Sequence, residues 1–242
     1  MITSKDCYLR GRCKKCLDGN CPSEVDEFCI KLFKLNYLYE ESLLSSKQRM
    51  HTELRVDRDG TDKKAFQYLK SLSDSIEGFV KKGDNIYIHS SQCGNGKTEW
   101  AIRMIQCYFE AIWHKCNLSC KALFINVPRF LLALKDNISE KSDYVEHIKK
   151  NILTADIVVW DELGTKDATT FEHEHLLNLI NTRIDYNKSN IYTSNLTPDE
   201  LKDRLGERLY SRIVNLSHDM EFFGKDKRGL RVDSVTVPKQ NS

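Results

Sequence analysis

The chain has 242 residues, 40% hydrophobic and 30% charged, with 37 Lys and Arg against 35 Asp and Glu and a formal net charge of +2. That length suits one large α/β domain with a small appendage, and the composition excludes a collagen-like or wholly disordered chain. Nearly balanced charge decides nothing about nucleic acid, because even totals can hide a local basic groove.

The first residues, MITSKDCYLRGRCKKC, lack the apolar core of a signal peptide, and no later run approaches the roughly 18 apolar residues of a membrane span. The expected compartment is the cytoplasm. Nine cysteines, an odd number in a chain without an export signal, point to metal ligation or burial rather than disulfides. Five of them, Cys7, Cys13, Cys16, Cys21 and Cys29, fall in the first 29 residues. Cys7-x₅-Cys13-x₂-Cys16-x₄-Cys21 offers four thiolates, the soft tetrahedral set that zinc takes, with free thiols as the plain alternative. Cys29 lies on an apolar helical stripe and is the replacement ligand if one of the four does not bind. Lys5, Arg10, Arg12, Lys14 and Lys15 surround the knuckle and face either DNA or solvent.

From 23 to 49 the spacing of Val25, Phe28, Cys29, Leu32, Phe33 and Leu35 predicts one or two helices. Residues 1–54 are therefore expected to form a small, Cys-rich, mostly helical zinc module. The polar RVDRDGTDKK at 55–64 reads as a linker, and 65–242 as the main domain. FQYLKSLSDSIEGFV predicts one helix. Alternation follows: strand 85–90 (NIYIHS), helix 98–113 with Ile102, Ile105, Phe109 and Ile112 on one stripe, and strand 121–127 (KALFINV). Next come a short helix begun near Pro128, helix YVEHIKKNIL, strand ADIVVWDE and helix FEHEHLLNLINTRIDY. Strand 190–195 (NIYTSN) and two helical segments broken near Gly206 complete the pattern. Strands alternating with helices of this length predict a parallel sheet covered on both faces.

The segment Ser91-Gln92-Cys93-Gly94-Asn95-Gly96-Lys97-Thr98 joins a strand to an amphipathic helix. It fits the phosphate-binding loop G-x-x-x-x-G-K-[ST] except at Ser91, which replaces the first glycine. In such a loop backbone N–H groups cradle phosphates, Lys97 reaches the terminal ones, and the Thr98 hydroxyl binds Mg²⁺, which predicts ATP and magnesium as cofactors. Serine can make the turn provided its φ stays negative. Downstream, the apolar run Ile157–Trp160 ends in Asp161 and Glu162. Carboxylates at the C-terminal end of a parallel strand face the ligand crevice, so Asp161 is expected to hold the Mg²⁺ shell and Glu162 to polarise an attacking water.

In order, SQCGNGKT, IVVWDELGT, IYTSNLTPDELKDRLGERLYSRI and FFGKDKR resemble the DnaC/DnaI-type helicase loaders of the AAA+ class, over residues from about 65 to 230. The resemblance implies a P-loop AAA+ domain with no C-terminal lid domain, and the chain does end soon after FFGKDKR. It implies that Asn195 is sensor 1, orienting the lytic water, and that Arg212 is an arginine finger reaching a neighbouring subunit's ATP. Arg208, one helical turn earlier, is the second candidate for that role. Arg228 matches a recurrent family position without an assigned mechanism. Implied too are self-association into a ring or spiral, a replicative hexameric DNA helicase and single-stranded DNA as partners, and a bacterial cell, chromosome- or phage-encoded. Arg129 and Lys135, in the segment where loaders contact single strands, are the DNA-binding candidates. Three alternatives stay open: a transposition helper ATPase of the IstB type, which shares the core and the DELG run, a nucleotide-switched adaptor that hardly hydrolyses, and a P-loop nucleoside kinase.

Overall fold

The computed structural model describes residues 18–19, 27–50, 54, 60–137, 141–165 and 169–227. Five parallel strands form one sheet in the order β2-β3-β4-β1-β5. They are β1 (Asn85–His89), β2 (Ala122–Asn126), β3 (Ile157–Leu163), β4 (Ser189–Ser194) and β5 (His218–Glu221). The four expected strands are present within a residue or two of their predicted limits, and β5 was not predicted.

Side chains alternate across this sheet as the twofold repeat of a strand demands. Ile86, Ile88, Ala122, Phe124, Ile157, Val159 and Ile191 face one apolar cluster, and Tyr87, Leu123, Ile125, Val158, Trp160 and Tyr192 face the other. Burial on both faces explains why the central strands read as nearly unbroken apolar runs. Helices α1 (Glu27–Glu41), α3 (Lys63–Asp74), α4 (Ile76–Lys82) and α5 (Lys97–Ile112) pack on the first face. Helices α6 (Val127–Asp136), α7 (Asp143–Asn151), α8 (Thr170–Asp185) and α9 (Pro198–Ile213) cover the second. The short α2 is Ser46–Arg49.

Two expectations change. The single helix expected before β1 is two, because Ser75 leaves helical geometry (φ −114°, ψ 25°) while donating its N–H to Ser71 and Leu72. The stretch 27–50, expected to belong to a unit of its own, buries Leu38 and Leu44 in the core beneath β1 and α5. It is also tied there by hydrogen bonds. Phe124 N–H donates to Ser42 O (2.8 Å), Gln106 Nε2 to Gln48 O (3.1 Å), and the Tyr37 hydroxyl to Leu118 O (3.3 Å). An amphipathic helix with too little core of its own covers the nearest apolar surface, here the flank of α5. The cysteine set Cys7, Cys13, Cys16 and Cys21 lies outside the described residues, as does Arg228.

Helix ends follow local chemistry. Thr169 with Glu172 starts α8 and Thr197 with Glu200 starts α9, each pair bonding the other's backbone N–H in a capping box. The break expected near Gly206 is present as a kink inside α9, with φ 77° and ψ 162°, a region essentially reserved for glycine. The kink gives the second half of the helix, which carries Arg208 and Arg212, a direction of its own.

At the opposite end of the sheet from the loops, Arg183 is fully buried. Its guanidinium donates to Asn190 Oδ1 (2.8 Å), Ser189 O (2.6 Å), Ala155 O (2.9 Å) and Ile152 O. Asn190 Oδ1 also accepts from Trp160 Nε1 (3.0 Å), and its amide donates to Asn85 Oδ1 (2.9 Å). Burial pushes the Arg183 pKa down to about 10, so the side chain is still a cation at neutral pH.

Candidate nucleotide-binding site

The crevice is built where β1, β2, β3 and β4 end. After β1 the chain turns through residues 90–96 and enters α5 at Lys97. Gly94 (φ 72°) and Gly96 (φ 108°) take the left-handed backbone that a side chain disfavours, and Ser91 does not. The replaced first glycine thus costs the loop no strained residue. Inside the loop Asn95 is buried and donates to Ser90 Oγ at 2.7 Å, and Ser90 Oγ also accepts the Gln92 N–H at 3.0 Å. Lys97 is buried too, with Nζ 2.7 Å from Gln92 O and 3.2 Å from Asn95 Oδ1. The loop therefore holds its own lysine over its backbone, at the start of a helix whose positive dipole end favours anions.

Across the crevice, Asp161 is only 4% exposed. Its Oδ1 accepts from the Thr98 hydroxyl at 2.8 Å and from the Thr193 hydroxyl at 2.7 Å. Burial raises the Asp161 pKa above its ordinary value, and the bonds from Thr193 and Thr98 oppose that shift. A hydroxyl and a carboxylate in contact form an oxygen donor pair of the kind a hard divalent cation takes, so these residues fit Mg²⁺.

The strand does not stop at the acids. β3 runs on to Leu163, and pairing with β4 slips from Trp160↔Tyr192 to Leu163↔Ser194, so β3 carries one extra residue. Such a bulge re-aims a side chain at a sheet edge. Here Glu162 sits at φ 61°, an unfavourable backbone for a residue with a Cβ. Its N–H donates to Thr193 Oγ1 (3.1 Å), and its Oε2 accepts from Asn126 Nδ2 (3.0 Å). The other end of the Asn126 amide, Oδ1, caps α6 by accepting the Arg129 N–H at 3.2 Å.

Sequence reasoning missed Asn126 and Thr193. Each is a polar residue at the C-terminal end of an apolar strand run, the same position that singled out Asp161, and that signal was available. Asn195 directly follows β4, beside Ser90, whose N–H donates to Ser194 O at 3.3 Å. The other candidates lie apart from this cluster. Arg208 and Arg212 are exposed on α9. Arg129 is exposed on α6 with its guanidinium 4.7 Å from the Tyr144 ring centre, and Lys135 is exposed in the last turn. No group of His, Cys, Asp and Glu among the described residues could hold a transition metal.

The IstB-like ATP binding protein family matches residues 38–228, most of the chain. The chain belongs to that family. No curated protein matches it. The fold of this family member is similar to that of the DnaC helicase loader (TM-score 0.57, 18% identity, 74% of this chain and 100% of that one). It is similar also to DnaI (TM-score 0.53, 20% identity, 78% and 93%). A third likeness is to the replication initiator DnaA bound to AMPPCP and single-stranded DNA (TM-score 0.55, 15% identity, 78% and 50%). The expected DnaC/IstB kinship is therefore correct at the level of the family: an IstB-like ATP-binding domain with a parallel sheet flanked by helices and a fold like that of the DnaC helicase loader. Among the described residues no helix is long and apolar enough to cross a membrane.

Proposed function

We propose that this family member is an ATP-dependent loader of a hexameric replicative helicase that grips single-stranded DNA in its ATP-bound form. The observation that carries the reading is the Thr98–Asp161–Thr193 cluster facing the Lys97 loop, with Glu162 turned out of the strand beside it. In bound ATP, Mg²⁺ supplies neutralisation of phosphate charge. The loop amides and Lys97 bind the phosphates, Thr98 and Asp161 hold the ion's shell, and Asp161 is kept in place by Thr193. Glu162 accepts a proton from the attacking water, which Asn195 orients. Arg212, with Arg208 beside it, completes a neighbouring copy's site in a ring or spiral. Their exposure on a helix, with no side-chain hydrogen bond or ion pair to another of the described residues, supports that role. Arg129 and Lys135 contact the DNA backbone from α6.

The full chain is expected to bind single-stranded DNA more tightly with ATP than with ADP by fluorescence anisotropy. The affinity should fall steeply with salt, as phosphate contacts require. It should also retain a hexameric helicase in a pull-down. The family's name favours one second reading, the transposition helper. Preference for duplex DNA without helicase capture would put that reading first.

The reading includes zinc held by Cys7, Cys13, Cys16 and Cys21, on a part of the chain suited to partner capture. Elemental analysis of purified protein should give close to one zinc per chain, the number a single four-thiolate set holds. Cys13→Ser and Cys16→Ser should each release it and lose helicase capture while ATP binding persists. A metal-free wild-type chain that still captures helicase would refute the zinc assignment.

A further inference from the structure

Asp62 stands at the N-cap of α3, where an aspartate ordinarily accepts a hydrogen bond from an amide of its own helix. Here it makes no such cap bond, and its backbone (φ 64°, ψ 9°) lies in the left-handed region that a Cβ disfavours. Its carboxylate is committed elsewhere. One oxygen accepts the Phe223 N–H at 2.7 Å and the other the Gly224 N–H at 2.8 Å, 161 and 162 residues away along the chain. A residue held in a disfavoured conformation by two remote, charge-assisted bonds is a position that the surrounding structure over-determines.

The two amides belong to the segment 222–227, which leaves β5 and reaches the phosphate loop. Phe222 is buried and donates its N–H to His89 O, the last carbonyl of β1, at 2.8 Å. Five residues on, Lys227 N–H donates to Gly94 O at 2.9 Å. One strap therefore holds the carbonyl where β1 ends and a carbonyl inside the loop, and Asp62 grips it between those points. The peptide unit is planar, with C=O and N–H on opposite sides. Fixing the Gly94 carbonyl on the strap therefore turns the Asn95 N–H away from it. Gly94 itself, at φ 72°, has more than one backbone well open to it, so an outside hold on its carbonyl selects one.

We propose that Asp62 is a positioning residue for the phosphate-binding loop. By clamping the 222–227 strap it fixes the Gly94–Asn95 peptide and so sets the affinity for nucleoside triphosphate. This rests on the reading of the loop as an ATP site. It also gives the chain preceding α3 a direct route to that site, because any displacement of Asp62 loosens the strap on Gly94.

The test uses the full chain. Glycine takes a φ near that of Asp62 without penalty, so Asp62→Gly removes both acceptors and leaves the turn unstrained. Affinity for a fluorescent ATP analogue with Mg²⁺, amide hydrogen exchange and melting temperature are compared with wild type. Asp62→Gly should bind about tenfold more weakly, the scale of losing one such bond's contribution. Exchange at Phe223, Gly224 and Lys227 should quicken, with little change in melting temperature. Asp62→Asn keeps one acceptor oxygen and should fall between, and it carries the same comparison if the glycine variant does not fold. A purely structural residue would lower the melting temperature and leave affinity alone. Quickened exchange with unchanged affinity overturns the proposal, as does unchanged exchange. A wild-type chain that binds no nucleotide overturns the functional reading as well, so the two failures are told apart by the wild-type titration.

Discussion

Mixing Arg212→Ala protein with Glu162→Gln protein is expected to restore an ATP hydrolysis that neither shows alone. Each variant should bind ATP as wild type does, because among the described residues neither side chain is hydrogen-bonded to the Lys97 loop or to the Thr98–Asp161 pair, the Glu162 carboxylate accepting from Asn126 instead. Arg212→Ala should hydrolyse about 10³-fold or more slowly, the range for loss of an arginine supplied to a phosphoryl-transfer transition state, and Glu162→Gln about 10²–10⁴-fold more slowly, the range for loss of a general base. In a mixed assembly some interfaces join an intact Glu162 on one copy to an intact Arg212 on the next, and those should turn over. Arg208→Ala mixed with Glu162→Gln tells the two arginines apart, since they lie one turn apart on the half of α9 beyond the Gly206 kink. If sedimentation confirms assembly and no mixing ratio recovers activity, Arg212 does not act in trans.

Replacing Arg183 with methionine should cost about 3–5 kcal/mol of unfolding free energy, the scale of removing one partner from a buried charged network. The methionine fills much of the volume but donates nothing. The carbonyls of Ile152, Ala155 and Ser189 and the side-chain oxygen of Asn190 then lose their guanidinium donors inside the core. Arg183→Lys keeps the cation, yet a single ammonium cannot span four acceptors from two chain segments, so it should recover less than half the loss. Urea unfolding at neutral pH reads both values. A loss below about 1 kcal/mol for the methionine variant would mean that water or a rearranged Asn190 satisfies these groups.

Nothing in NLINTRIDY marks Arg183 as buried. It occupies an ordinary polar position in a helical pattern, and its burial depends on carbonyls that come from the turn before β3 and from the start of β4. The central strands were legible because burial on both faces leaves long apolar runs. β5 was not, because HDME is an exposed edge whose membership depends on backbone pairing with β1. The break at Ser75 was hidden by the apolar residues that continue at helical spacing through Ile76 and Phe79 and by the lack of a glycine or proline there. At the site, the loop, Asp161 and Glu162 were readable from motif and strand end. The bulge that turns Glu162 was not, since register is a property of two strands. Asp62 lay in the stretch expected to be a linker, and its role depends on a chain segment 161 residues away.

The strand order carries a consequence for biosynthesis. β4 lies between β3 and β1, so until residues 189–194 have been made, the piece bearing the loop and the piece bearing Asp161 share no strand pairing. Thr193, which ties Asp161, arrives on that same strand. A nascent chain halted after α8 would hold the loop with β1 on one side and β2–β3 on the other, both with unpaired edges inviting intermolecular pairing. Insertion of β4 is a late, long-range event that joins the two halves of the sheet and brings Thr193 to Asp161 in one step. ATP can therefore reward folding only after residue 194 has been synthesised, and chaperone dependence should concentrate before that point.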